Sequence, residues 1–504
     1  MYYHTASLDE KEMTMENNFL KLLNDILGEY SDVKISAITG IERTRINRIR
    51  NGKFKIELHE LQKIISLFYV DSATARRLYD AYLYDKLGPD KYRSRQIAKE
   101  FLAGLRFDNN TPNFLNTDIN INININNEFD ETKELTTINS LTAVRNAKIM
   151  VLLKAQSNGE KIRIISAPND NFLISELFTI TSAKPELEID HIYSLASAEQ
   201  LPSPLTYYIS AAKATYPIFM LNTNYKAYYN TSGYSTNELM PFHIITGEYS
   251  MSISADSSAA VLSKNNDVVK LHSKIFDDRV KQSASFIKHI ETTEMYLQHY
   301  CSIIERSQPK PINLFYSLDY EPCVLSFLTQ NELELCMRSM KGNDELLEVS
   351  SQFVNSFFGL FIGNRQISFF TKKGLRSFLE TGKIEEVPES IGLIVPHERR
   401  LEIIKIVLEK IKNPTGKKIF FMLNENEFDP PLGLRFLGGG YKSDHLFVIS
   451  NDKDGSRSIL SLSNPETVSV IFDFMESLPE SNMVYPKEET AAYIEKLLSE
   501  YNKS

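Results

Sequence analysis

Arginine and amide side chains are concentrated in one short stretch of the chain, residues 32–53, where they could contact nucleic acid. The side chains that could do so are Arg43, Thr44, Arg45, Asn47, Arg48, Arg50 and Lys53. From Glu42 to Lys55 there are six basic residues against one acidic residue. Arginine can bridge two acceptors on guanine, and asparagine can bind a donor and an acceptor on adenine. The arginine and lysine side chains also attract phosphate. The stretch therefore predicts a surface that binds double-stranded DNA.

Apolar residues around these side chains predict two short helices joined by a tight turn. The positions expected to point inward are Ile35, Ile38, Ile41, Ile46 and Ile49. Gly40 stands where the chain must turn, and a positive φ is cheap for glycine. Asn51 and Gly52 would end the second helix. The second helix then presents its basic face away from the core.

The segment ISAITGIERTRINRIRNGK, followed by the amphipathic stretch ELHELQKIISLF, resembles the lambda-repressor-like helix-turn-helix of the XRE family. The resemblance rests on Thr39-Gly40-Ile41, on the pair Ile46 and Ile49, and on the closing Asn51-Gly52. It implies an all-α module whose second helix enters the major groove. Two positions depart from the family pattern: Ser36, where alanine is usual, and Arg50, where an acidic residue is common. The resemblance covers about 85–90 residues with the trailing helices.

Charge divides the chain unevenly. Residues 17–106 hold 17 Lys and Arg against 11 Asp and Glu, which gives +6. Residues 1–16 carry −3, so the remainder of a chain with net charge −9 carries −12. A basic N-terminal domain, which we call the head, followed by an acidic remainder is expected when one domain contacts phosphates.

Composition and cysteine content indicate a cytoplasmic protein. We expect no secretory signal at the N-terminus and no transmembrane helix, because no apolar run approaches about 18 residues. The cysteines Cys301, Cys323 and Cys336 show no CxxC spacing, which favours reduced, buried thiols over a disulfide framework or a metal site.

The fold class predicted is multidomain: an N-terminal all-α helix-turn-helix domain and a large α/β mixed-sheet region of one or two subdomains. Residues 1–106 form the first domain, and residues 107–139 an Asn-rich linker in which the Ile-Asn alternation from Ile119 to Asn126 favours a strand. Residues 140–308 and 309–504 are expected to be α/β domains for sensing or oligomerisation.

Alternating apolar patterns predict the elements of the α/β region. Helices are expected at 140–156, 169–182, 205–213, 267–306, 398–412, 465–476 and 487–502. Strands are expected at 161–168, 187–195, 216–221, 242–254, 365–370, 391–395, 418–423 and 445–450.

A search for catalytic constellations finds only partial matches. His272-Ser273-Lys274 resembles the start of the HxKxxxxD motif of phospholipase D-like enzymes, but Arg279 stands where that motif needs Asp. Gly438-Gly439-Gly440 lacks the spacing of a phosphate loop, and His191 and His445 lack a second metal ligand at the right spacing. The sequence therefore predicts no catalytic residues, no metal, no cofactor and no enzymatic activity.

These observations predict a sequence-specific transcription regulator, typically a repressor, that binds DNA as a homodimer because one recognition helix reads too few base pairs. The aromatic cluster Tyr207, Tyr208, Tyr216, Phe219, Tyr225, Tyr228, Tyr229, Tyr234 and Phe242 suggests core packing or a pocket for a small-molecule or peptide effector. Two alternatives remain open. One is an enzyme or defence effector, for example a phospholipase D-like nuclease, that uses the head for tethering or autoregulation. The other is a phage-type repressor.

Overall fold

The computed structural model describes residues 18–104, 133–168, 170–194, 204–222, 224–230, 239–290, 295, 298, 314–329, 331–332, 365–384, 394–429, 434–439, 446–451, 457–462 and 464–502. The chain divides into two compact units, Met1–Gln96 and Ile97–Ser504, which we call the helical unit and the sheet unit. The predicted fold class, a helical N-terminal region followed by a large mixed sheet with helices, is confirmed.

Short amphipathic helices build the N-terminal part of the chain. They are α1 (Asn18–Leu27), α2 (Asp32–Thr39), α3 (Arg43–Arg50), α4 (Leu58–Leu67), α5 (Ser72–Leu87) and α6 (Pro89–Gly104). Leu23, Ile35 and Leu61 are completely buried where the first helices meet. Capping residues define several helix starts; Asp71, for example, accepts the N–H groups of Ala73 and Thr74 ahead of α5.

The sheet unit is organised around one mixed sheet, to which the described residues contribute 14 strands. These are β1 (Leu135–Ile138), β2 (Ile162–Ser166), β3 (Ile189–Ser194), β4 (Tyr225–Asn230), β5 (Phe242–Ile245), β6 (Ser250–Ile253), β7 (Ala260–Ser263), β8 (Ala284–Ile290), β9 (Leu314–Leu318), β10 (Arg365–Phe370), β11 (Lys418–Met422), β12 (Leu434–Gly439), β13 (Leu446–Asn451) and β14 (Arg457–Leu462). Their order is β1-β7-β6-β5-β2-β3-β4-β8-β14-β13-β12-β9-β10-β11.

Two groups of three strands are parallel, namely β2-β3-β4 and β9-β10-β11. The pairs outside these groups are antiparallel, including the β4-β8 and β8-β14 pairs that join the two halves. Parallel strands need crossover connections, which explains the alternation of helices and strands in the sequence.

Helices cover both faces of this sheet. They are α7 (Leu141–Asn158), α8 (Asn171–Ala183), α9 (Pro204–Leu221), α10 (Asn266–Gln282), α11 (Lys372–Thr381), α12 (His397–Lys412), α13 (Pro465–Ser477) and α14 (Lys487–Tyr501). The largest core joins α7, α8, α9 and α13 to the sheet. A second core packs α11, α12 and α14 against β10 and β11, and Phe276 of α10 packs on Ile165, Ile192 and Ile245.

The single helix predicted over 267–306 is wrong at residues 283–290. Helix α10 ends at Gln282, and residues 284–290 form β8, which pairs with both β4 and β14. Those partners lie about 60 and 170 residues away in the sequence, so their hydrogen bonds are invisible to a local pattern.

The strand predicted over 216–221 is also wrong, because α9 continues to Leu221 and contains Pro217. Ile218 and Phe219 are almost completely buried in that helical form. Burial in the tertiary core therefore outweighs the local preference of a proline for ending a helix. The Ile-Asn alternation at 119–126 lies outside the described residues.

Candidate nucleic-acid interface

The turn between α2 and α3 is fixed by Thr39 and Gly40. Gly40 has φ +71°, in the left-handed region, and its N–H donates to the Ser36 carbonyl at 2.9 Å. The Thr39 hydroxyl donates to the Ile35 carbonyl at 2.8 Å and accepts the N–H of Ile41 at 3.2 Å. These bonds set the direction in which α3 leaves the turn.

Helix α3 has a buried face and a solvent face. Ile46 and Ile49 are 3% and 4% exposed and belong to the core of the helical unit. Arg43, Thr44, Asn47 and Arg48 are exposed on the opposite face. A helix repeats every 3.6 residues, so these four positions form one continuous strip.

Arg45 and Arg50 lie at the two borders between these faces, and each is bound to a carboxylate. Two guanidinium nitrogens of Arg45 donate to the two carboxylate oxygens of Glu60 on α4, one bond measuring 2.9 Å. The Arg45 guanidinium also lies 4.4 Å from the centroid of the Phe54 ring. Burial raises the pKa of Glu60, but the hydrogen bonds from Arg45 and from the Glu57 N–H outweigh it, so that the pKa is lowered.

At the other border, Arg50 is bound by groups from α1 and α2. Its guanidinium donates to Asp32 Oδ1 at 2.9 Å, to the Tyr30 carbonyl at 3.1 Å and to Asn24 Oδ1 at 3.3 Å. The other oxygen of Asp32 accepts from Asn47 at 2.9 Å. The hydrogen bond from Asn47, together with Arg50, holds the pKa of Asp32 below its ordinary value.

The remaining predicted residues are placed as follows. Arg43 and Arg48 are exposed, the Thr44 hydroxyl donates to the Glu42 carboxylate, and Lys53 is exposed just past the end of α3. The N–H of Lys53 donates to the Arg48 carbonyl at 2.8 Å, closing the helix end around Gly52, whose φ is +66°. The structure therefore brings six of the predicted residues together on α3, with Lys53 just after it, but binds two of the arginines within the protein.

Two features of this surface depart from the sequence expectation or were missed by it. Ile38 is 37% exposed instead of inward-facing, because Ile35 and Thr39 occupy the buried side of α2. Asn51, interpreted only as a helix end, lies on the exposed strip and donates from its side chain to the Asn47 carbonyl at 2.7 Å. Its position one turn after Asn47 is the signal that could have identified it.

In the sheet unit, His272 and Lys274 do not form a joint site. His272 Nδ1 is 2.6 Å from the Ser250 hydroxyl and its ring packs edge-on against His243, whereas Lys274 is exposed. His243 is mostly buried, which lowers its pKa to about 4. The side chains of His272 and Lys274 therefore lie on different sides of α10.

His191 belongs to a buried hydrogen-bonded chain in the parallel strands β2, β3 and β4. Its Nε2 is 2.7 Å from the Ser166 hydroxyl, and its Nδ1 is 2.8 Å from the Tyr225 hydroxyl, which in turn lies 3.1 Å from that of Tyr193. Burial lowers the pKa of His191 to about 3. A serine and a histidine at this distance are the elements of a nucleophilic pair, but neither is accessible to solvent.

The structure describes some of the other residues singled out in the sheet unit. Tyr216, Phe219, Tyr225 and Tyr229 of the aromatic cluster are buried core residues. Cys323 is a buried free thiol, while Cys301, Cys336 and His445 lie outside the described residues. Within the described ranges, no group of three or more His, Cys, Asp or Glu is arranged to hold a metal ion. The described helices include none that is long and apolar enough to cross a membrane.

Comparisons with known proteins give no family. No protein-family model and no curated protein matches the chain. Among solved structures, polyphosphate kinase from Porphyromonas gingivalis is 12% identical with a TM-score of 0.22, over 73% of this chain and 56% of the kinase. An archaeal chromatin protein with a novel mode of DNA binding is 10% identical with a TM-score of 0.21, over 54% of this chain and 95% of that protein.

The first of these matches bears on the sequence prediction that the chain is not an enzyme. The matched kinase is an enzyme, so that prediction is wrong against this comparison and is withdrawn. Only just over half of the kinase is covered, and TM-scores of 0.22 and 0.21 assign neither a reaction nor a ligand to this chain.

Proposed function

We propose that the chain is a sequence-specific DNA-binding regulator that reads the major groove with the exposed face of α3. One observation carries the proposal: Arg43, Thr44, Asn47 and Arg48 form a solvent-exposed strip directly opposite the buried pair Ile46 and Ile49. Arginine and asparagine are the side chains that most often read guanine and adenine edges. The resemblance of residues 35–53 to the XRE helix-turn-helix supports the same function.

Within this proposal the seven predicted residues divide into two roles. Arg43, Thr44, Asn47 and Arg48 would contact base edges, and Lys53 would contact phosphate. Arg45 and Arg50 would act as positioning residues, because their guanidinium groups are already bound to Glu60 and Asp32. A guanidinium with five donors can still reach a phosphate from such a position.

The remaining parts of the proposal concern organisation. We propose a DNA-binding domain at 1–106, a linker at 107–139, and α/β regions at 140–308 and 309–504 that serve effector sensing or oligomerisation. The protein would act in the cytoplasm as a homodimer on two-fold operators, since two half-sites supply the specificity that a single helix lacks. A small-molecule or peptide effector would alter the spacing of the two heads.

Selection of bound sequences from a random duplex pool by the full-length protein tests the DNA-binding part. We expect a reproducible motif, and we expect fluorescence anisotropy with a duplex containing it to show affinity that falls steeply with salt. The double variant Arg43→Ala/Arg48→Ala should lose about tenfold or more in affinity for the selected duplex.

A matched control is Lys63→Ala/Arg77→Ala, which removes the same charge from exposed positions on α4 and α5. It should retain most of the affinity. If no sequence is enriched, or if both double variants weaken binding equally, sequence reading by α3 would be excluded.

A further inference from the structure

A basic cleft opens on the sheet unit between α10 and the start of the β5-β6 turn. Its volume is about 560 Å³, and its lining includes Arg163 of β2, Thr246 and Gly247 of the turn, and Lys270, Lys274 and Lys281 of α10. We call it the α10 cleft. Pockets for small ligands span about 300–1,000 Å³, so the α10 cleft is large enough for one such molecule.

The turn that forms one wall of the α10 cleft is held in place by Glu160. Its carboxylate accepts the N–H of Gly247 at 2.8 Å and that of Glu248 at 3.2 Å. A Cβ atom at Gly247 would come within 2.9 Å of the same carboxylate, so a larger residue there would displace the Glu160 side chain. The wall is therefore a built turn, ordered before any ligand arrives.

Charge inside the α10 cleft is unbalanced. Arg163 donates to both oxygens of Asp277, at 2.9 and 3.3 Å, and Lys281 binds Asp278 at 2.8 Å. Both lining carboxylates thus already have a basic partner.

Lys270 and Lys274 supply the excess positive charge. They lie one turn apart on α10, both are exposed, and neither forms an ion pair within the part of the chain that the structure describes. Lys274 adds only a weaker, longer-range attraction to Asp278. Two ammonium groups thus face the same open space with their charge largely uncompensated.

We propose that the α10 cleft binds a small phosphate-bearing ligand such as a nucleoside phosphate. Side chains four residues apart on a helix have Cβ atoms about 5–6 Å apart, so Lys270 and Lys274 can reach oxygens of one phosphate or of two linked phosphates. Lysine binds phosphate as a point charge. Asp277 and Asp278 at the border can accept hydrogen bonds from ligand hydroxyl groups.

The charge of the surrounding chain favours a compact anionic ligand over a nucleic-acid backbone in the α10 cleft. The chain after residue 106 carries −12, so a long polyanion that extends beyond the α10 cleft would meet repulsion from the surrounding surface. A compact anion is attracted locally, because surface charges beyond about 8 Å are screened at physiological salt. This inference gives the effector a chemical class and rests on the effector part of the proposed function.

Calorimetric titration of the full-length protein, without DNA, with ADP and separately with inorganic phosphate tests the proposal. We expect saturable binding of ADP that weakens about tenfold or more in Lys270→Glu/Lys274→Glu. The control Lys405→Glu/Lys496→Glu makes the same charge change on exposed positions of α12 and α14 and should bind as the wild type does. The midpoints of urea unfolding show whether both double variants remain folded. If Lys270→Glu/Lys274→Glu does not fold, Lys270→Gln/Lys274→Gln takes its place.

Several outcomes would overturn the proposal. One is the absence of saturable binding of either probe at millimolar concentration, and another is equal weakening in the two double variants. A third is loss of duplex DNA affinity in Lys270→Glu/Lys274→Glu while neither probe binds, which would make this a nucleic-acid surface. Because the titration contains no DNA, its failure is distinguishable from a failure of DNA binding by α3.

Discussion

The guanidinium of Arg45 binds both carboxylate oxygens of Glu60, which joins the second helix of the helix-turn-helix to the helix that follows it. The same carboxylate accepts the backbone N–H of Glu57 at 2.9 Å, completing a capping box at the start of α4. Glu60 is only 5% exposed, and its carboxylate binds α3 through Arg45 and caps the start of α4.

Replacement of Glu60 should separate these two roles. In Glu60→Ala the capping-box hydrogen bond and the ion pair are both lost, and a hydrogen bond to a charged group contributes about 1.5–3 kcal/mol. In Glu60→Gln an acceptor for the Glu57 N–H remains, so we expect a smaller loss. Hydrogen exchange over residues 18–87 of the full-length protein measures both, and equal protection in the two variants and the wild type would contradict the dual role.

Asp32 should influence DNA recognition without touching DNA. Its two oxygens hold Arg50 and Asn47, so Asp32→Ala frees a positioning residue and a reading residue together. We expect lower stability of the helical unit and a changed base preference in a repeat of the sequence selection. Asp25→Ala, an exposed acid on α1, is the matched control. An unchanged motif in Asp32→Ala would show that Asn47 does not depend on this contact.

Salt dependence should distinguish Lys53 from Arg48. Lys53→Ala should reduce the slope of log affinity against log salt by about one and weaken all duplexes alike, because a phosphate contact carries no sequence information. Arg48→Ala should instead relax specificity at one base position. Anisotropy titrations at salt concentrations from about 50 to about 200 mM check the predictions for Lys53→Ala and Arg48→Ala. A sequence-dependent loss in Lys53→Ala would reverse the assignment.

The stability of the sheet unit should depend on pH through His191. Its pKa is lowered to about 3 by burial, while an unfolded histidine titrates near 6.5, so between these values the unfolded chain binds more protons. The contribution of His191 to the free energy of unfolding is therefore fully present above about pH 6.5 and is lost as the pH is lowered toward 3. We expect the urea midpoint to fall less between pH 7.5 and 5 in His191→Gln than in the wild type.

The control for that experiment is His59→Gln, since His59 is an exposed histidine of the helical unit. It should leave the pH dependence of the sheet unit as it is in the wild type. Equal pH dependence in His191→Gln and the wild type would mean that His191 accepts a proton in the folded state.

The helix-turn-helix could be predicted from the sequence because its signals are local: a left-handed glycine, a pair of isoleucines and a helix stop lie within 20 residues of each other. Which arginines are free could not be predicted in the same way. Asp32 and Glu60 bind Arg50 and Arg45 across separations of 18 and 15 residues, and only the packing of four helices brings them into range.

The same limit explains the errors in the sheet unit. Local patterning predicts helix for β8, whose partners β4 and β14 come from distant parts of the chain. It predicts strand for the segment containing Pro217, which the core surrounds as helix. The α10 cleft is not predictable from sequence spacing, because Arg163 is about 110 residues from Lys270 in the chain. Apolar periodicity predicts which face of an element is buried, but it does not predict what covers that face.

Anchoring of α3 at both borders has a kinetic consequence. In the proposed complex with DNA, a helix already bound through Arg45 and Arg50 would lose little backbone freedom on meeting a duplex, so the rate of encounter would be set by diffusion and electrostatic steering and not by folding. Arg43 and Arg48 would be the side chains that must still become ordered, and their contacts would determine how long a correct site is occupied. Discrimination between sites would then appear in the rate of dissociation, while all sites would share the same rate of association.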